Sequence, residues 1–119
     1  MERIYNIYSE YDELRLVAKI HEDKNENLVT EVLVPYEYKY FPIDLLGVNR
    51  DWDVNNTNQN RRWLESRVIP RTRQFLDDML EAVKLPEWDL VQLLKLNKGR
   101  VVDDKFYIEI EETIWKHLI

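Results

Sequence analysis

Arg61-Arg62-Trp63-Leu64-Glu65-Ser66-Arg67-Val68-Ile69-Pro70-Arg71-Thr72-Arg73 is the stretch at which this chain changes character. Before it, apolar residues come as short β-branched and aliphatic clusters; after it, they recur at helical spacing. Upstream, Ile4, Leu14, Leu16, Val17, Ile20, Val29, Val32, Leu33 and Val34 predict a three-stranded antiparallel meander. Its breaks fall at 9–13, at Pro35 and at a polar hairpin loop over 21–27. Such a meander leaves one face in need of a cover, and the helices that follow are the expected one.

Within and beyond the stretch, a short helix is expected over about 57–67, with Trp63 and Leu64 facing the core. Pro70 separates it from a second helix beginning at Arg71, whose apolar face would be Phe75, Leu76, Met79, Leu80 and Val83. A third helix is expected from residues 86–89, with Leu90, Val91, Leu93, Leu94 and Leu96 inside and Asn97-Lys98-Gly99 as its stop. Residues 100–111 then alternate, Phe106, Ile108 and Ile110 on one face against Tyr107, Glu109 and Glu111 on the other, which predicts a strand. The tail, 112–119, fits either a short helix or a further strand. The expected fold is therefore α+β: an N-terminal antiparallel β-meander packed against a small helical unit, with a C-terminal strand. It forms one domain over 1–119, β-rich over 1–46, an Asn-rich loop over 47–60, helical over 61–98, and strand and tail over 100–119.

Composition narrows the function classes. The chain lacks cysteine, which excludes disulfides, thiolate zinc sites and a cysteine nucleophile. Its first residues do not predict a signal peptide, and no apolar run approaches the roughly 20 residues needed to span a bilayer, so a soluble, cytoplasmic protein is expected. Glycine occurs only at 47 and 99, too few for a phosphate-binding or dinucleotide loop. His21 and His117 have no companions at metal-ligand spacing, and Ser9 and Ser66 carry no hydrolase signature. The adjacent carboxylates Asp77-Asp78, Asp103-Asp104 and Glu111-Glu112 point in different directions and make poor acid–base pairs. Asp51, Asp53 and Asn55 open like a calcium loop, but Asn56 and Arg62 stand where its glycine and terminal glutamate belong. No catalytic site, cofactor or metal is expected.

The net charge of −6 is uneven: −6 over 1–60, +2 over 61–84 and −2 over 85–119. A small basic island in an acidic chain allows local attraction to an anionic partner without steering the whole molecule toward DNA. The helices around Pro86 do not read as a DNA-binding pair, because Glu87 and Asp89 would meet the phosphates. The candidate contact residues are Arg61, Arg62, Arg67, Arg71 and Arg73, joined by Tyr36, Tyr38 and Tyr40, which share one face if that segment is extended. Local salt bridges to Glu65, Asp77 and Asp78 are the alternative role for these arginines.

The run from Trp63 to Arg73, followed by Gly99-Arg100-Val101-Val102-Asp103-Asp104-Lys105-Phe106-Tyr107-Ile108, resembles a segment of HipA-like kinase loci of Gram-positive bacteria and their mobile elements. There, Trp-aromatic/Leu-x-x-Arg-x-Ile-Pro-x-x-Arg precedes Gly-x-Ser-Leu-x-Asp-x-aromatic-Trp-Ile; here Val101 replaces the serine and Tyr107 the tryptophan. The resemblance spans about 61–110. It implies a non-catalytic protein-interaction module, an accessory or antitoxin-like partner in a toxin–antitoxin, phage or mobile-element locus, with a HipA-like kinase as its protein partner. Trp63, Pro70, Gly99, Asp104 and Phe106 would be structural positions of the motif. The competing expectations are a nucleic-acid-binding regulator using the 61–73 arginines, and a phage-encoded acidic inhibitor of a host nucleic-acid enzyme.

Overall fold

The computed structural model describes residues 2–35, 40–42, 45 and 54–113. Four strands, β1 (Glu2–Ser9), β2 (Arg15–Glu22), β3 (Leu28–Val32) and β4 (Phe106–Thr113), form one antiparallel sheet in the order β3-β2-β1-β4. The C-terminal strand thus pairs with the first, and three helices pack on the sheet: α1 (Thr57–Glu65), α2 (Leu76–Ala82) and α3 (Leu90–Asn97). This is the expected α+β arrangement. β1 lies between two partners, so its alternate residues Tyr5 and Ile7 sit opposite Ile20 and Ala18 on one side and Ile110 and Ile108 on the other. These residues meet Leu28, Phe41, Leu45, Trp63, Leu64 and Leu94 in the main core. A register shift after Ile7 leaves Val17 as an extra, fully buried residue of β2. The hairpin loop begins at Asp23 rather than at His21, because His21 and Glu22 pair with Ile4 and Arg3 and stay in the ladder.

Asn56 caps α1, its side chain accepting from the Gln59 N–H at 3.0 Å. One turn later Asn60 is fully buried. Its Nδ2 donates to the Leu28 and Val54 carbonyls at 2.8 and 3.2 Å, while its Oδ1 accepts from the Thr30 hydroxyl at 2.8 Å. With Thr30 N–H donating to Val54 O, these bonds tie α1 and its approach to the exposed backbone of edge strand β3.

The second helix departs from expectation. It begins at Leu76, because Phe75 adopts a left-handed backbone (φ +61°) that no continuous helix from Arg71 can contain. It closes seven residues later, where Lys84 is also left-handed and the Leu85 and Lys84 N–H groups bond back to Leu80 and Glu81. Of its expected apolar face only Leu80 is buried; Phe75 is 69% exposed and Val83 also faces out. Pro70 opens a turn, with Arg73 N–H on its carbonyl, and not a helix. In α3, Asp89 is the cap, so residues 86–88 precede the helix, and Leu96 is 57% exposed while Leu93 and Leu94 are buried. The last strand likewise starts at Phe106, residues 100–105 forming the turn before it.

Candidate functional site

Arg67 sits just past the end of α1, its N–H bonded to the Leu64 carbonyl, and turns inward. It is 4% exposed. Its guanidinium grips Asp104 with two parallel bonds of 2.6 and 2.7 Å and also donates to the carbonyls of Gly99 (2.8 Å) and Phe106 (3.2 Å). One face lies over the Trp63 ring at 5.0 Å. Burial works against the charge on Asp104, but the bonds from Arg67 and from the Phe106 N–H outweigh it and hold the carboxyl below its ordinary value. Asn97 completes the junction, donating to the Arg67 carbonyl at 2.8 Å and accepting the Gly99 N–H at 2.7 Å. Gly99 itself has φ +64°, and a Cβ there would stand 2.7 Å from Ile108 Cδ1, so both backbone and space require glycine. Trp63, Gly99, Asp104 and Phe106 therefore meet around Arg67, whereas Pro70 stays exposed. Arg67, expected as a contact residue, belongs to the interior: the side chain is 4% exposed and its guanidinium is engaged on the half-buried Asp104 carboxylate and two carbonyls.

The remaining arginines separate, Arg61 and Arg62 because adjacent residues of a helix point about 100° apart, Arg71 and Arg73 because they lie on the turn beyond it. Arg61 bonds the Glu26 carbonyl at 3.0 Å, while Arg62 is exposed and borders a different hollow with Gln59 and Ser66. Arg71 lies 4.2 Å from the Trp88 ring centre, and the Trp88 indole N–H is fixed on the Ile69 carbonyl at 2.8 Å. Arg73 is exposed and makes no side-chain hydrogen bond or ion pair among the described residues. The expected salt bridges to Glu65, Asp77 and Asp78 do not form among the described residues.

Arg61, Arg71 and Trp88 line a polar cleft of about 370 Å³ where the end of the sheet meets the first turn of α3. Arg3 of β1 and Lys95 of α3 enter the same cleft. Arg3 pairs with Glu22 at 3.0 Å and stands 3.5 Å from Glu112; Lys95 pairs with Glu112 at 2.9 Å. The Tyr5 hydroxyl donates to Glu22 at 2.6 Å, and burial together with that bond pushes the phenol well above its ordinary range. Glu112 is held below its ordinary value by the Lys95 bond, against a burial effect of opposite sign. Sequence reading missed Arg3, Lys95 and Trp88, since nothing in their local sequence indicates that three distant elements converge there.

Tyr40 is half-buried and stacks on Tyr11 with ring centres 5.2 Å apart; Tyr11 in turn meets the edge of Phe106. Tyr36 and Tyr38 lie outside the described residues, as do Asp51, Asp53 and His117. Among the described residues no group of His, Asp and Glu converges to hold a metal ion, and no helix is long and apolar enough to cross a membrane. Among known proteins, no family model, curated protein or solved structure matches this chain.

Proposed function

We propose that the chain is a non-catalytic protein-interaction module, an accessory or antitoxin-like partner, that docks on an acidic segment of another protein through the turn carrying Arg71, Arg73 and Phe75. The observation that carries this reading is Phe75, a bulky side chain 69% exposed on a left-handed backbone. Non-glycine residues in that conformation cost roughly 1–3 kcal/mol and gather at binding and switch segments. Arginine and a large aromatic side by side are also the composition of interface hot spots. A HipA-like kinase is the partner that the two quoted motifs suggest. A nucleic-acid role is less favoured, because the arginines of 61–73 diverge to a cleft, a separate hollow, the core and an exposed turn, and do not form one phosphate track.

The test is affinity capture from the native host with the wild-type chain, with Arg71→Glu/Arg73→Glu and with Phe75→Ser. The expected result is a kinase-class protein retained by the wild type and released by both variants at raised ionic strength or below it. Recovery of the same proteins by all three baits overturns the reading.

A further inference from the structure

We infer that the outer edge of β4 takes up an extended segment of another protein as a fifth strand, and that this segment carries lysine or arginine on one face and an apolar residue on the other. The two edges of the sheet differ. At β3 the outward N–H groups of Leu28 and Thr30 are occupied, by the Thr57 hydroxyl at 3.0 Å and the Val54 carbonyl at 2.9 Å. At β4 the Ile108 N–H points away from β1, onto the Lys98 carbonyl at 2.6 Å. Alternation along an antiparallel strand then turns the N–H and C=O of Ile110 and Glu112 outward as well. Neither of those two N–H groups has a partner among the described residues. An open edge of this kind accepts an added strand, with main-chain bonds supplying affinity and side chains selecting the partner.

The side chains beside the open edge state which partner fits. Glu109 and Glu111, in register with Asn6 and Ile4, lie on the face away from the helices. Glu109 is exposed and makes no hydrogen bond or ion pair among the described residues, and Glu111 is held by the Asn6 amide at 2.6 Å. Neither carboxylate has a cation within 4.0 Å there, because Lys95 and Arg3 serve Glu112 on the helix face and Arg100 serves Glu10. Lys19 shares the outer face but stands across Asn6, one strand further in. Two uncompensated carboxylates thus flank Ile110, which faces the helices and packs against the core. An added antiparallel strand would set cations opposite Glu109 and Glu111 and an apolar residue opposite Ile110. Two copies of β4 paired about Ile110 would instead set Glu109 against Glu111, like charges directly opposite, so a second copy is not the occupant. This edge is separate from the turn carrying Arg71 and Phe75, and the inference does not rest on that turn.

The test is a titration of the full-length, isotope-labelled chain followed by nuclear magnetic resonance at constant ionic strength. The probe is a capped peptide of alternating lysine and valine, compared with the same peptide N-methylated at its valines and with a glutamate–valine peptide. Saturable shifts and slowed hydrogen exchange at the Ile110 and Glu112 amides are expected with the lysine peptide. The N-methylated peptide cannot donate into the ladder and should bind about tenfold more weakly or worse, and the glutamate peptide should not bind. Glu109→Lys should weaken binding of the lysine peptide by about tenfold, since it exchanges an attractive cross-strand pair for a repulsive one. Its side chain points away from the core, so an otherwise unchanged spectrum confirms that the variant is folded. Absence of saturable shifts at the two amides, or equal binding by the N-methylated peptide or by Glu109→Lys, overturns the inference. So do shifts at the same amides on concentrating the chain alone, which would make a second copy the occupant. Each of these results leaves the docking turn to its own test.

Discussion

Arg67 and Arg71 stand four residues apart in one basic stretch, and the fold gives them opposite roles. Arg67 is 4% exposed and joins α1 to the turn before β4 through Asp104, Gly99 and Phe106. Arg71 is exposed, touches one ring, and keeps its donors available. The difference lies in what each meets after the chain turns: for Arg67 a half-buried carboxylate and two backbone carbonyls, for Arg71 an aromatic ring beside an open cleft. A buried guanidinium must be fully paired, because an unpaired charge in the interior is far more costly than a paired one. An exposed guanidinium carries no such requirement and remains free for a ligand.

The largest effect that tests this contrast is Arg67→Ala. It leaves the Asp104 carboxylate and the Gly99 carbonyl without their partner and should cost about 3–5 kcal/mol, read as a lowered denaturant midpoint. Arg67→Lys should recover only part of that, since an ammonium cannot reproduce the fork. A loss near that of a surface substitution would show that the junction does not hold the halves together. Next comes Asn60→Ala, which strips partners from Leu28 O and the Thr30 hydroxyl and should cost roughly 2–3 kcal/mol by the same measurement.

Acid should act on the Arg67 side of the comparison and spare the Arg71 side. Asp104 has a folded pKa below its ordinary 3.8, so its contribution is complete above the unfolded value and is lost as pH falls through the lower, folded one. The stability gap between wild type and Asp104→Asn should therefore be constant near neutrality and narrow as pH drops below about 4. A gap unchanged in strong acid would contradict the pairing. The smallest stability effect is expected for Arg71→Ala, below about 1 kcal/mol for an exposed cation on an aromatic ring. Its consequence should appear in binding, and a large loss of stability there would erase the distinction between the two arginines.

Much of the fold was legible because its signals are local. Clusters of β-branched and aliphatic residues marked the first strands, alternation marked the last, and Asn97-Lys98-Gly99 marked a helix stop. The helix expected from Arg71 was misread for a definite reason. Phe75 has the apolar character and spacing of a core position, and periodicity does not register that its backbone is left-handed. Leu96 was misplaced similarly: α3 buries the side carrying Leu93 and Leu94, and that side is narrower than its apolar sequence suggests. The motif residues were visible as two separate runs, but their meeting was not, since Asp104 lies 37 residues beyond Arg67. The cleft left no trace at all in the sequence, for it draws Arg3, Arg61, Arg71, Trp88 and Lys95 from separate elements.

The amino-acid sequence by itself determined the α+β class, the strand-rich and helical halves, and the point where they join, because propensity, capping and periodicity act over a few residues. Only the tertiary structure decided which arginine goes inside, which remain at the surface, and which cations share a cleft. Burial and pairing depend on groups brought together from distant parts of the chain, and no local pattern contains that information.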